Sequence, residues 1–124
     1  WRLSDKFMIS IPYNTSIGPG LYIGHAGLIT INWETVIGTN CNISQGVVIG
    51  VSNRNKIGCP IIGNNVFIGP GAKVFGRIQI GDDVAIGANS VITDNIPDHA
   101  VVVGVPGKVI SNKGSAEYIN RKDY

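Results

Sequence analysis

Leucine, methionine, cysteine and charge are all scarce in this chain. Two cysteines cannot staple a secreted scaffold, so a reducing, cytoplasmic setting is expected. Only 15% of the residues are charged while 44% are hydrophobic, which excludes a disordered chain and a nucleic-acid arm. A formal charge of +2 gives no strong field toward polyanions, although a small phosphorylated ligand needs only a few local charges. No apolar run approaches the roughly 20 residues that span a bilayer, and no charged-then-apolar leader opens the chain. The chain begins at Trp1 rather than Met, so its natural start is expected upstream. The 124 residues suit one domain.

What is abundant is branched or turn-forming. There are 20 Ile and 13 Val against 3 Leu, with 17 Gly and 12 Asn beside them. Branched side chains pack well on pleated strands, and Gly and Asn serve tight turns. The composition therefore reads as many short strands, with helix expected only at the ends, around Trp1 to Met8 and Ser115 to Arg121.

The strands repeat with a period of six. Ile62, Ile68, Val74, Ile80, Ile86 and Ile92 follow one another at that spacing. Ile17, Ile23 and Ile29 do the same, as do Ile31, Ile37, Ile43 and Ile49, with a phase shift of two between Ile29 and Ile31. The 13-residue step from Ile49 to Ile62 reads as two hexads plus one residue, with a small bulge or loop in 51–61. Gly follows the leading residue at eight of these positions, among them 38, 63, 69, 81 and 87. The fifth position is small or apolar, as at Cys41, Val47, Val66, Ala72, Val84 and Ser90.

Each hexad can supply one short strand and a turn, with its leading and fifth residues inward and Gly providing unusual backbone geometry between faces. Three hexads make a triangular coil, and coils stack at about 4.8 Å, the spacing of parallel strands. The expected fold is an all-β parallel β-helix over residues 10–110, with an N-terminal extension at 1–9 and a C-terminal tail at 111–124, polar and mobile from Tyr118 to Tyr124 unless it packs on a neighbouring subunit.

The stretch IGNNVFIGPGAKVFGRIQIGDDVAIGANSVI, followed by IPDHAVVVGVPGKVI, resembles the hexapeptide-repeat acyltransferases. Within that family the chain is similar to the serine acetyltransferase branch and its relatives in polysaccharide gene clusters. The resemblance implies a left-handed coil, a homotrimer with active sites between subunits, and acetyl-CoA as co-substrate without a metal. LYIGHAGLITI is similar to the segment around the catalytic histidine of serine acetyltransferases, and His25 is the matching position. The implied role is general base toward an acceptor hydroxyl; an imidazole in water titrates near pH 6.5, which suits that work.

Adding 18 residues and the phase shift puts Gln45 over His25 on the next coil, with Asn64 and Asp82 in the same column. Gln45 and Asn42 are thus candidates to orient the ring or contact the acceptor, and Glu34 is the nearest carboxylate in sequence. The departures from serine acetyltransferase are specific. Its Asp before the histidine is matched by Gly24, its Arg-His pair by Gly58 and Cys59, and the carboxylate partner of its histidine falls opposite Ser10. Cys59 is kept as a candidate substrate contact. With serine's ligands missing, the leading acceptor is a sugar hydroxyl of a capsule or lipopolysaccharide precursor. Serine, an amino-sugar amine and a non-catalytic assembly module remain as alternatives.

The resemblance also assigns cofactor contacts. Ser52 matches the segment near the pantetheine arm, while Pro70, Gly71, Gly87 and Ala88 match small outward positions lining the cleft. Lys108 matches a basic residue near the cofactor phosphates, and Lys73 is a weaker candidate. Cys41, at an inward fifth position, reads as a core thiol. His99 reads as a structural or exposed turn residue. Two histidines cannot furnish the three-histidine zinc site of the carbonic anhydrases that share this coil.

Overall fold

In the computed structural model, residues 8–25 and 27–119 are described. Their branched residues form strands of two to four residues arranged on three faces. The first face carries β1 (Ile9–Ser10), β4 (Ile29–Ile31), β7 (Val48–Gly50), β10 (Lys73–Phe75) and β13 (Val91–Ile92), in that order. On the second face lie β2 (Ser16–Ile17), β5 (Val36–Ile37), β8 (Ile61–Ile62) and β11 (Gln79–Ile80). The third holds β3 (Tyr22–Ile23), β6 (Asn42–Ile43), β9 (Phe67–Ile68), β12 (Ala85–Ile86), β14 (Val101–Val103) and β15 (Lys108–Ser111). Every neighbouring pair is parallel except β14 and β15, where the chain reverses and covers the last edge of the third face.

The leading residues form the interior. Ile43, Ile49, Ile62, Ile68, Val74, Ile80, Ile86 and Ile92 are each at most 2% exposed. Cys41, Val47, Val66, Ala72, Val84 and Ser90, at the fifth positions, are fully buried beside them. Each buried Ile contributes about 1.5–3 kcal/mol of transfer free energy, and each coil buries its face only against the next.

The register locates both breaks in the repeat. Tyr22 pairs with Asn42, twenty residues on, but Thr30 pairs with Val48, eighteen residues on. The two extra residues therefore lie in the turn between β3 and β4, which carries His25. Val36 then pairs with Ile61, so seven extra residues form a loop between β7 and β8. That corrects the expectation of two hexads plus one residue: Ile49 and Ile62 sit on successive faces, one hexad and a loop apart.

The role of glycine also differs from expectation. Left-handed backbone occurs at the edge between the second and third faces, at Asn40, Asn65, Asp83 and His99, the third residue after the leading position. The glycine that follows the leading residue serves close approach instead. Asp82 Oδ1 accepts the backbone N–H of Asn64 at 2.7 Å, and a Cβ at Gly63 would collide with that carboxylate. Asp98 Oδ1 does the same for Asp82 N at 2.7 Å, over Gly81. The side chain of one coil thus binds the backbone of the coil before it.

The segment after β15 packs on the coil as far as Ile119, so Tyr118 and Ile119 are held where a mobile tail was expected to begin. Ser115 is buried, and its Oγ lies 2.6 Å from Asn65 O and 2.8 Å from Asp83 Oδ1. Tyr118 stacks on Phe67 with ring centroids 5.4 Å apart. Tyr118 N and Ile119 N both donate to Ser115 O, a turn where a helix was expected. The remainder of that expectation, and the one for residues 1–7, lies outside the described residues.

Candidate active site

His25 stands on the inserted turn at the edge between the third and first faces. Ile23 pairs with Ile43, while Gly46 N donates to Gly27 O as Gly71 N donates to Gln45 O one coil later. Gly27 therefore occupies the place that Gln45 holds in the next coil, and the two extra residues come between Ile23 and Gly27. His25, on this insertion, is exposed. Among the described residues no side chain hydrogen-bonds its imidazole.

Below His25 the edge mixes small residues with larger polar and apolar ones. Gly27, Gln45, Pro70 and Ala88 follow one another along it, and the next column runs through Leu28, Gly46, Gly71 and Asn89. Gly71 sits at φ +73°, and a Cβ there would collide with Asn89 Oδ1. A groove of about 640 Å³ opens between this edge and the outer surface of the first face, lined by Leu28, Thr30, Gly46, Val48, Gly71 and Lys73 among others. Lys73 Nζ donates to Gly46 O and Gly71 O, each at 2.8 Å. Its ammonium thereby ties two coils together, with two of its three N–H donors used on carbonyls.

Several expected site residues share this edge. Pro70, Gly71, Gly87 and Ala88 lie along it, and Lys108 projects from β15, opposite Val103, at its C-terminal end. Gly87 also has a packing reason to be glycine, since a Cβ there would stand 2.8 Å from Val103 Cγ1.

Others are placed elsewhere. Asn42 is only 3% exposed, lying in the third face between Tyr22 and Phe67, and this burial removes it as an acceptor contact. Gln45 stays exposed on the His25 edge but in register with Gly27, not His25. Asn64 and Asp82 belong to the edge between the second and third faces, because the seven-residue loop moves the column on to Pro70.

Ser52 and Cys59 occupy the third edge, between the first and second faces. Ser52 exchanges backbone hydrogen bonds with Gly58, and its Oγ donates to Asn55 O at 3.1 Å. It lines a depression of about 360 Å³ with Arg54, Lys56, Phe75 and Asp94, in which Lys56 and Asp94 form an ion pair. Cys59 is buried, and burial pushes its thiol pKa up, with the Glu34 carboxylate adding to the shift. Both effects oppose a nucleophilic thiolate. Cys59 lines a groove of about 400 Å³ that also holds Glu34, Ile57, Ile61 and Arg77. Arg77 was not singled out from the sequence; once the loop is placed between β7 and β8, coil counting brings it beside Gly58.

Comparison with known proteins adds to this geometry. The bacterial transferase hexapeptide (six repeats) family matches residues 59–94. A serine acetyltransferase of Synechococcus elongatus is 39% identical over 107 residues, covering 86% of this chain and 44% of the relative. The structure of a Brucella abortus serine acetyltransferase in complex with coenzyme A is similar at a TM-score of 0.85 and 34% identity, covering 91% of this chain and 46% of that one. A Neisseria gonorrhoeae serine acetyltransferase in complex with serine has a TM-score of 0.76 and 37% identity, covering 86% and 44%. The chain spans about half the length of the curated relatives it matches. The fold is the left-handed parallel β-helix of these structures, and with its hexads and register the chain belongs to the hexapeptide-repeat transferase family.

Proposed function

We propose that this chain carries the catalytic coil of an acetyl-CoA-dependent O-acetyltransferase with His25 as general base. The observation that carries the reading is the position of His25. It sits, exposed, on a two-residue insertion in an otherwise regular edge, and Pro70, Gly71 and Ala88 follow along that edge. Coenzyme A bound to a structural relative supports the same co-substrate here. Pro70, Gly71 and Ala88 would let an extended thiol arm lie against backbone amides, with Lys108 toward its phosphates. Bound there, acetyl-CoA supplies the activated acetyl group.

His25 then acts twice. Its free imidazole nitrogen takes the proton from the acceptor hydroxyl as that oxygen attacks the thioester carbonyl. The imidazolium returns the proton to sulfur as the carbon–sulfur bond breaks, so the histidine ends unchanged. Ser52 and Cys59 lie on a different edge from His25, and a homotrimer with sites between subunits is part of the proposal because it can bring two edges of neighbouring copies together. A cytoplasmic setting belongs to the same reading.

For the acceptor, the relatives support serine better than the capsule or lipopolysaccharide sugar expected from the sequence. The sugar stays as a second reading on one observation: Gly24, Gly58 and Cys59 offer no charged side chain where serine's ligands are expected. Thiol release from acetyl-CoA, measured with L-serine, sugar nucleotides and short saccharides, separates the two. His25→Ala should lower turnover by about 10²–10⁴-fold while trimer and CoA binding persist. Unchanged turnover would remove the general base, and no turnover on any acceptor would favour an assembly module.

A further inference from the structure

The depression beside the loop between β7 and β8 carries side chains that acetyl transfer does not employ. Ser52 N and Gly58 N each donate to the other's carbonyl, at 3.1 and 3.2 Å, and close the residues between them into a hairpin. Ser52 Oγ donates to Asn55 O and accepts the Arg54 N–H, so its hydroxyl braces that hairpin from within. Arg77 N donates to Lys56 O at 2.7 Å, and Lys56 pairs with Asp94 from a later coil. The hairpin is thus fixed on both flanks, and the space of about 360 Å³ between it and the corner at Thr93 and Asp94 is preformed.

Phe75 forms the floor. Its partner one coil earlier is Gly50, where an added Cβ would stand 3.0 Å from Phe75 Cε1, so the ring lies over the glycine. Neutral polar groups stand around it. Asn55 and Thr93 are exposed, and among the described residues neither side chain has a hydrogen-bond partner. The charges of Lys56 and Asp94 answer each other. Arg54 takes part in neither of the two ion pairs present among the described residues, so the depression holds one uncommitted cation.

We propose that this depression binds a uronic-acid residue, so that the acceptor is an acidic saccharide. One face of a pyranose ring presents C–H bonds, which suit the negative π face of Phe75. The sugar carboxylate takes two parallel hydrogen bonds from the Arg54 guanidinium, and the ring hydroxyls meet Asn55 and Thr93. Other ligands leave something unmatched. A nucleobase would find a ring on one side and polar groups elsewhere, a phosphate dianion would meet a single free cation, and a neutral sugar would leave that cation unused. The site rests on the sugar reading of the acceptor for its role but not for its binding. Arg54 and His25 lie on different edges, so the reacting hydroxyl meets the His25 of a neighbouring copy in the proposed homotrimer.

Amide chemical-shift titration and steady-state kinetics test it together. Methyl β-D-glucuronide, methyl β-D-glucoside and UMP are titrated into the wild-type protein, Arg54→Gln, Arg54→Lys and Phe75→Leu. The glucuronide should bind the wild type about 10-fold more tightly than the glucoside. Arg54→Gln should erase that preference by weakening the glucuronide alone, and Arg54→Lys should restore it in part. Phe75→Leu should weaken both sugars. With a glucuronate-containing disaccharide as acceptor, Arg54→Gln should raise KM for the disaccharide and leave KM for acetyl-CoA unchanged. Equal glucuronide affinity in wild type and Arg54→Gln overturns the proposal, as does the absence of glucuronide binding. UMP bound more tightly than the glucuronide, and lost in Arg54→Gln, overturns it in favour of a nucleotide. Saccharide turnover that ignores Arg54→Gln overturns the site and leaves the sugar reading standing. Arg54-dependent glucuronide binding with turnover on L-serine alone supports the site and overturns its place in the acceptor. Arg54 is exposed on the hairpin, so an unchanged thermal transition in its variants shows that the fold is intact.

Discussion

Asp83 and His99 stand at the same edge one coil apart, with Asp83 Oδ2 2.7 Å from His99 Nδ1. The other carboxylate oxygen accepts the backbone N–H of Ser115 at 3.0 Å, and Gly114 N donates to His99 O at 2.9 Å. One ion pair thereby anchors the segment that folds back over the coil.

That anchor should depend on pH in two directions. Burial works against ionising Asp83, but hydrogen bonds from His99 and Ser115 outweigh it and lower its pKa. A lowered carboxylate contributes stability above its unfolded value, and the contribution is lost as pH falls through the folded value. The hydrogen bond to Asp83 raises the pKa of His99 above 6.5. A raised histidine contributes fully below 6.5, and that contribution fades as pH rises through the folded value. The protection factor of the Ser115 amide, its intrinsic exchange rate divided by the observed one at the same pH, should therefore be largest between about pH 4 and 6.5 and fall on either side. His99→Asn tolerates the left-handed backbone at φ 64°; it should remove the alkaline limb and, by taking away the His99 contribution that lowers Asp83, shrink the acid limb. An alkaline limb that persists in His99→Asn would assign it to another group.

Ser115→Ala should loosen the same segment without melting the coil. The hydroxyl is buried and shares its proton between Asn65 O and Asp83 Oδ1. Removing it leaves a buried carbonyl short of its partner, at a cost of about 1–3 kcal/mol. The core columns do not touch it, so proteolysis and amide exchange at 112–119 should rise while the main thermal transition moves little. A large drop in the main transition would show that the returning segment is part of the cooperative unit.

What could be read from the sequence was the interior. Ile68, Ile86 and Cys41 recur at positions whose side chains have only one place to go, so a period of six is enough to put them inward. The position of an insertion within a coil is not encoded in that period. Ile29 and Ile31 are both buried on β4, so the phase shift between them does not show that the extra residues lie earlier, beside His25. The same ambiguity moved Asn64 and Asp82 into the wrong column and hid Arg77. Asn42 failed for another reason: its side chain does point outward, but large neighbours on the same face, Tyr22 and Phe67, enclose it. Such burial depends on pairing across coils, which a single hexad does not show.

Gly71 and Asn89 offer a test of the close contact between coils. Gly71→Ala meets two obstacles: the left-handed φ of +73° and the Oδ1 of Asn89. The first costs about 1–2 kcal/mol, and the collision adds to it. Asn89 is itself left-handed at φ 58°, so Asn89→Gly removes its side chain without strain. Gly71→Ala should thus be markedly more destabilising in the wild-type background than in Asn89→Gly. Equal losses in chemical denaturation would mean that backbone strain accounts for the whole effect.

The two thiols should differ in reactivity, and neither should behave as a nucleophile at neutral pH. Burial pushes Cys41 up to about 11, and its side chain is fully enclosed at a fifth position. Its Sγ also lies 3.2 Å from Gly63 O, a carbonyl that favours the protonated thiol as donor. Cys59 is raised as well, first by burial and then by Glu34, but it retains 8% exposure at the side of an open groove. A disulfide reagent of moderate size should therefore leave Cys41 unmodified until the chain unfolds and modify Cys59 slowly, faster as pH rises. Because Glu34 contributes to the raised value, Glu34→Gln should speed the Cys59 reaction at a given pH. Rapid modification at pH 7 would contradict the burial of both thiols, and an unchanged rate in Glu34→Gln would place that carboxylate too far from Cys59 to act on it.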